Sequence, residues 1–75
     1  MPSGKSVPMR QRSALFRVRD HETPEYGVIV EPMSTGAALI RRGLTVHAQR
    51  RSFARITGVC VRLTDAGRKF LKGME

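Results

Sequence analysis

Arginine is the residue type whose number and spacing in this 75-residue chain point most directly to a chemistry. Eleven arginines and three lysines are set against six acidic residues, and the net charge is +8 at neutral pH. A planar guanidinium donates two parallel hydrogen bonds to one phosphate, which the point charge of lysine cannot do. The composition therefore predicts an anionic partner, and nucleic acid is the first to consider.

The charge is distributed unevenly along the chain. Residues 20–31 hold four of the six acids, whereas residues 32–75 hold nine basic residues against Asp65 and Glu75. A surface made only for solubility mixes the two signs. We therefore expect the binding surface in the second half of the chain, with its arginines in one continuous cationic surface. The predicted contact residues are Ser34, Thr35, Arg41, Arg42, Arg50, Arg51 and Arg55.

The first half of the chain predicts a tail followed by two strands. Residues 1–13 contain two prolines, a glycine and three serines among basic residues, which is typical of a flexible basic arm. Residues 14–75 then predict one small α+β domain. Phe16 and Val18 alternate with arginines. In residues 26–31, Tyr26, Val28 and Val30 occupy every second position. This pattern favours an N-terminal β-hairpin with a long polar turn.

A short helix is predicted over residues 33–43. Ser34 or Thr35 can cap its first turn by accepting a backbone hydrogen bond, and Gly43 can end it in the left-handed conformation. At about two and a half turns, such a helix depends on tertiary packing. The residues expected to face the core are Ala37, Ile40 and Leu44.

A wing-like β-hairpin and a C-terminal helix complete the predicted domain. The polar segment 49–52 predicts the turn of the hairpin. In the strand that follows, Val59, Val61 and Leu63 form an apolar face, with polar residues and Cys60 on the other side. Thr64 or Asp65 is expected to cap the last helix, and Gly67 within it to permit a close approach. The predicted apolar stripe of this helix is Ala66, Phe70 and Met74, with Leu71 beside it.

Two segments carry a resemblance to a known family. Leu-Ile-Arg-Arg-Gly-Leu at residues 39–44 and Val-Arg-Leu-Thr-Asp-Ala-Gly-Arg at residues 61–68 resemble the wing region of winged-helix DNA-binding proteins, especially the MarR-type repressors, over about residues 34–71. The resemblance implies a recognition helix with Arg41 and Arg42 at phosphates of a groove. It also implies a wing that carries Arg50 and Arg51 to the adjacent minor groove. The family has two helices before its recognition helix, where this chain alternates like strands.

The sequence lacks the residue patterns of a metal site, a catalytic site or a nucleotide-binding loop. His21, His47 and the single cysteine, Cys60, do not have the spacing of a zinc site, and no third group would orient a Cys–His nucleophile pair. The chain has no glycine-rich phosphate loop. We therefore predict that it is not an enzyme and uses no metal or cofactor. One cysteine and no apolar run of about 20 residues predict a cytoplasmic protein without a membrane span.

Three functions remain open at this level. The first is a small regulator or accessory factor that binds duplex DNA in preference to RNA. The second is a phage-type adaptor or inhibitor that docks on an acidic protein, such as a polymerase or nuclease. The third is an RNA-binding protein of ribosomal type. A core this small also leaves room for stabilisation by a partner or by a homodimer.

Overall fold

The computed structural model describes residues 7–51 and 57–74. Within them, three helices and a three-stranded antiparallel sheet form a compact α+β fold, which confirms the predicted class. The strand order in the sheet is β1-β3-β2. The elements are, in chain order, α1 (Met9–His21), β1 (Val28–Val30), α2 (Met33–Arg41), β2 (Thr45–His47), β3 (Val59–Leu63) and α3 (Asp65–Lys72).

The predicted N-terminal β-hairpin is wrong, because its first strand lies within α1. Leu15 and Val18 are the buried residues of this helix, and their spacing of three places them on one helical face. The alternation of arginines with Phe16 and Val18 covers only four residues, and a pattern this short does not distinguish a strand from a helix. The second predicted strand is present as β1, but it pairs with β3 rather than with a preceding strand.

The folded part of the chain begins earlier than the sequence predicts. Val7 is buried in the core, and α1 begins at Met9. Residues 7–13 therefore do not belong to a flexible arm. The remainder of that predicted arm, residues 1–6, lies outside the described residues.

The sheet has one apolar face, as predicted for β3. Val61 lies between Val28 of β1 and His47 of β2 in the register of the three strands. Because side chains alternate along a strand, Val59, Val61 and Leu63 share a face, and Cys60 and Arg62 lie on the other. All three helices contact the sheet, and α1 contacts both of the others. The buried cluster thus joins α1, α2, α3 and the inner face of the sheet.

Helix α2 ends as predicted but begins differently. The amides of Gly43 and Leu44 bond to the carbonyls of Ile40 and Leu39 at 2.9 and 3.1 Å, which is a Schellman motif. Gly43 has a φ of 78°, as expected for the residue that ends the helix. The N-cap is Pro32, without a side-chain hydrogen bond, so the predicted capping by Ser34 or Thr35 is wrong.

The buried face of α2 agrees with the predicted one only in part. Leu44 is in the core and Ile40 packs against it, as predicted, whereas Ala37 is exposed. The buried residues within the helix are Thr35, Gly36 and Leu39. A Cβ on Gly36 would lie 2.8 Å from the Cβ of Val59. The close approach of α2 to β3 therefore selects the glycine rather than the alanine for the inner face.

Helix α3 is fixed to the end of α2 through two residues. The Thr64 hydroxyl accepts a hydrogen bond from the Gly67 amide at 3.0 Å and donates to the Gly43 carbonyl at 2.7 Å. A Cβ on Gly67 would lie 2.2 Å from the Leu44 carbonyl oxygen, so the predicted close approach is confirmed. The predicted stripe is confirmed in part: Leu71 is buried and Phe70 packs against the core, whereas Ala66 and Met74 are exposed and Gly67 is buried instead.

None of the helices in residues 7–51 and 57–74 is long and apolar enough to cross a membrane.

Candidate nucleic-acid interface

The topology sets the direction of the elements that carry the predicted contact residues. Strand β1 ends at Val30 beside Val59, whereas β2 begins at Thr45 beside Leu63. Helix α2 connects these two points, so it runs back along the sheet from the Val59 end to the Leu63 end. Residues 48–58 connect β2 to β3 at the Val59 end. We call the described part of this connection, residues 48–51 and 57–58, the hairpin base.

The hairpin base is attached to the body on both of its strands. On the β2 side, the Ala48 amide continues the ladder to the Cys60 carbonyl at 2.9 Å, and the Gly27 amide donates to the Gln49 carbonyl at 3.0 Å. On the β3 side, the Thr57 hydroxyl donates to the Glu31 carboxylate. These contacts fix where the connection leaves the sheet, and with it the position of Arg50 and Arg51.

Arg51 lies over an aromatic ring. Its guanidinium carbon is 5.1 Å from the centroid of the Tyr26 ring, within the range of a cation–π contact. Tyr26 is partly buried and Arg51 is exposed. The ring orients the guanidinium but, being neutral, does not cancel its charge.

Arg41 and Arg42 lie at the C-terminal end of α2, which is the end farther from the hairpin base. Both are exposed, and the Arg42 Nε donates to the side-chain oxygen of Gln11 on α1 at 2.9 Å. Helix α2 ends at the Leu63 end of the sheet, whereas the hairpin base leaves the sheet at the Val59 end. The expected continuous surface is therefore divided into two clusters, Arg41–Arg42 and Arg50–Arg51, at opposite ends of the sheet.

The remaining predicted contact residues differ in their exposure to solvent. Ser34 is exposed in the first turn of α2, at the end nearer the hairpin base. Thr35 is buried, with 6% of its surface exposed, so its side chain is part of the core rather than of an interface. Its inclusion in the predicted contact set is therefore wrong. Arg55 lies outside the described residues.

On the α1–α3 side, arginines meet carboxylates. Arg68 of α3 pairs with Glu22 at 2.8 Å, and the other carboxylate oxygen of Glu22 accepts the Leu63 amide at 2.9 Å. The Glu22 side chain is 8% exposed. Arg19 pairs with Asp20 at 3.2 Å. A cleft of about 310 Å³ lies beside them, lined by Arg19, Leu63, Arg68, Leu71 and Lys72. Two of its cations thus already have anionic partners, which makes the cleft a poor site for a further anion.

Three residues that organise the arginines were not expected from the sequence. Tyr26, Gln11 and Glu22 contact Arg51, Arg42 and Arg68 across separations of 25, 31 and 46 residues. No periodic pattern links residues so far apart in the chain. Only the packing of α1 and its following loop against the sheet brings them together.

Cys60 lies beneath the hairpin base. Its Sγ donates to the Gln49 carbonyl at 3.4 Å, and the side chain is buried. Burial raises the pKa of the Cys60 thiol, while the Gly27 amide and the positive charge of Arg50 act in the opposite direction. The thiol is therefore protonated at neutral pH. Within the described ranges, no group of three His, Cys, Asp or Glu side chains could hold a metal ion.

Searches against protein-family models, curated proteins and solved structures find no match to this chain.

Proposed function

We propose that this protein is a small DNA-binding regulator or accessory factor, which grips duplex DNA through the hairpin base and the C-terminal end of α2. The observation that carries the proposal is the position of Arg51. It is exposed at the hairpin base, and its partner among the described residues is a neutral ring rather than a carboxylate. Its positive charge is thus available to a phosphate.

The two clusters give the proposed interface two contact points. Arg41–Arg42 lie at the end of α2 and Arg50–Arg51 at the hairpin base, at opposite ends of the sheet. Two separated points of contact suit phosphates on the two sides of a groove. The exposed residues of α2 include the small Ser34 and Ala37, with the larger Met33 at the N-terminal end of the helix.

A winged-helix arrangement is the finer part of the proposal. In its favour, α2 is followed by a β-hairpin and then by α3, the order that the resemblance implies for residues 34–71. The region before α2 departs from the family, because one helix and one strand precede it instead of two helices. We therefore regard α2, β2 and β3 as the DNA-contacting elements and α1 as their support.

The test is the salt dependence of binding to a mixed-sequence duplex. Replacing both Arg50 and Arg51 by alanine is expected to weaken binding and to flatten the log–log salt slope by up to about two units, because each lost phosphate contact removes about 0.9 of a unit. The matched control is Arg17→Ala with Lys69→Ala. These residues are exposed on α1 and α3, and the control removes the same charge.

Comparing the two double variants distinguishes a specific contact at the hairpin base from an effect of net charge alone. Equal losses in the two double variants would reject the hairpin base as a contact and leave only net charge. An unchanged slope in the Arg50/Arg51 variant would reject it directly. Competition with structured RNA addresses the RNA-binding alternative, and a stoichiometric protein that co-purifies after nuclease treatment would favour the adaptor alternative.

A further inference from the structure

The contact between Arg51 and Tyr26 restricts what Arg51 can recognise. The N–H donors of a guanidinium lie in its plane, at the edge, and its face carries none. The Tyr26 ring lies on one side of the Arg51 guanidinium, 5.1 Å from its carbon atom, and Arg51 is exposed, so N–H donors remain for an external group. A planar, forked edge suits a phosphate, which accepts two hydrogen bonds at once.

Tyr26 is itself held in place on both sides. Its amide donates to the Thr23 hydroxyl at 2.9 Å, and its carbonyl accepts the Thr23 amide at 3.0 Å. The next residue, Gly27, donates to the Gln49 carbonyl, two residues before Arg51. A Cβ on Gly27 would lie 2.5 Å from the Val61 carbonyl oxygen, so this approach needs a glycine. A backbone hydrogen bond thus joins the two segments that carry Tyr26 and Arg51.

An Arg51 that stays in contact with Tyr26 is poorly placed for the minor groove. An arginine that reads a narrow minor groove extends between the two backbones. Arg51 would have to leave Tyr26 to do so. A backbone phosphate, in contrast, can approach the exposed guanidinium while the ring stays in contact, so the side chain is ordered before binding.

From this geometry, we infer that Tyr26 is a positioning residue that holds Arg51 for a backbone phosphate of duplex DNA and not for the minor groove. The inference rests on the proposed DNA-binding function. It adds Tyr26 to the interface, and it assigns Arg51 a contact that does not depend on base sequence.

The test is a double-mutant cycle of Tyr26→Leu and Arg51→Ala, measured on an A-tract duplex and a G·C-rich duplex of equal length. Arg51→Ala is expected to weaken binding about five- to tenfold on both duplexes and to flatten the salt slope by about one unit. Tyr26→Leu is expected to weaken binding about two- to fivefold, the size of a cation–π contact, with the slope unchanged because no charge is lost. The double variant should bind no worse than Arg51→Ala.

Conservative variants keep the test decisive if Tyr26→Leu is unstable. Tyr26→Phe retains the ring and should bind like the original protein. Arg51→Lys retains the charge but not the planar fork, so it should bind less tightly on both duplexes with the original slope.

Three results would overturn the inference. Losses that multiply in the double variant would show that Tyr26 acts independently of Arg51. A larger Arg51→Ala loss on the A-tract than on the G·C-rich duplex would show minor-groove reading. Failure of the original protein to bind either duplex would remove the proposed function as well, whereas the first two results leave it standing.

Discussion

On the α1–α3 side of the molecule, Arg19 and Arg68 meet carboxylates, and Arg19 also lies over the Phe16 ring; at the hairpin base, Arg51 lies over a neutral ring with no carboxylate partner among the described residues. Arg68 is paired with the nearly buried Glu22, which also holds the Leu63 amide. Arg51 contacts Tyr26 instead. Both arrangements fix a guanidinium in space, but only the first cancels its charge.

The difference separates structural arginines from candidate binding ones. The Glu22–Arg68 pair joins the end of α1 to β3 and α3, so its contribution is to stability. A cation–π contact at the surface stabilises the fold by only about 0.5–1 kcal/mol. Its larger consequence is that an oriented positive charge remains available to an external anion. Removing a residue from each region should therefore affect different measurements.

The largest expected effect on stability comes from Glu22→Ala. The substitution leaves the Leu63 amide without its acceptor and Arg68 without its partner, and it should lower the free energy of unfolding by about 2–3 kcal/mol. Chemical denaturation measures this loss. Glu25→Ala is the control, since Glu25 is exposed and its removal changes the charge equally; it should alter stability by less than about 0.5 kcal/mol. If the two variants were equally stable, the Glu22–Arg68 pair would not be a structural anchor.

A smaller effect on stability is expected from Arg51→Ala. Loss of the contact with Tyr26 should lower the free energy of unfolding by about 0.5–1 kcal/mol. The same variant should show the reduced affinity and flatter salt slope described above, which Glu22→Ala should not show. A loss of more than about 2 kcal/mol, comparable with a buried hydrogen-bonded pair, would make Arg51 a structural residue and erase the contrast between the two regions.

The smallest effect is expected in the reactivity of Cys60. The raised pKa keeps the thiol protonated at neutral pH, and thiolate is the reactive species, so alkylation should be slow and should accelerate as the pH rises. Because Gly27 and Gln49 cover the thiol, Tyr26→Leu should speed its alkylation slightly, and Tyr26→Phe should not. Alkylation rates by mass spectrometry provide the measurement. Equal rates in all three proteins would mean that the Tyr26 ring does not hold the loop over Cys60.

The sequence predicted the second half of the fold better than the first. The inner face of β3, the left-handed Gly43, the Thr64 cap and the close approach at Gly67 were all expected from local patterns. Each depends on residues within a few positions of one another, or on the steric demands of glycine. The first half lacked such signals. The alternation around Phe16 and Val18 covers four residues, and only burial against the sheet decides that they belong to a helix.

Local sequence patterns also did not fully predict which residues of a helix are buried. The positions of α2 and α3 were predicted well, but their buried faces only in part. The large apolar residues Leu44 and Leu71 are in the core as expected, whereas Gly36 and Gly67 are buried and Ala37 and Ala66 are exposed. Hydropathy favours alanine over glycine for the interior. The distance between helix and strand reverses the preference, because a Cβ at either glycine would come too close to its neighbour.

By itself, the sequence determined the amount and sign of the charge, the α+β class and the local signals that end and begin helices, because these follow from composition and from neighbouring residues. The tertiary structure alone decided which arginines are neutralised. Glu22 lies near Arg68, and Tyr26 lies under Arg51, only because the chain folds back across 46 and 25 residues to bring them together. A guanidinium has the same charge at every position in the sequence, and the side chain packed against it decides whether that charge serves stability or binding.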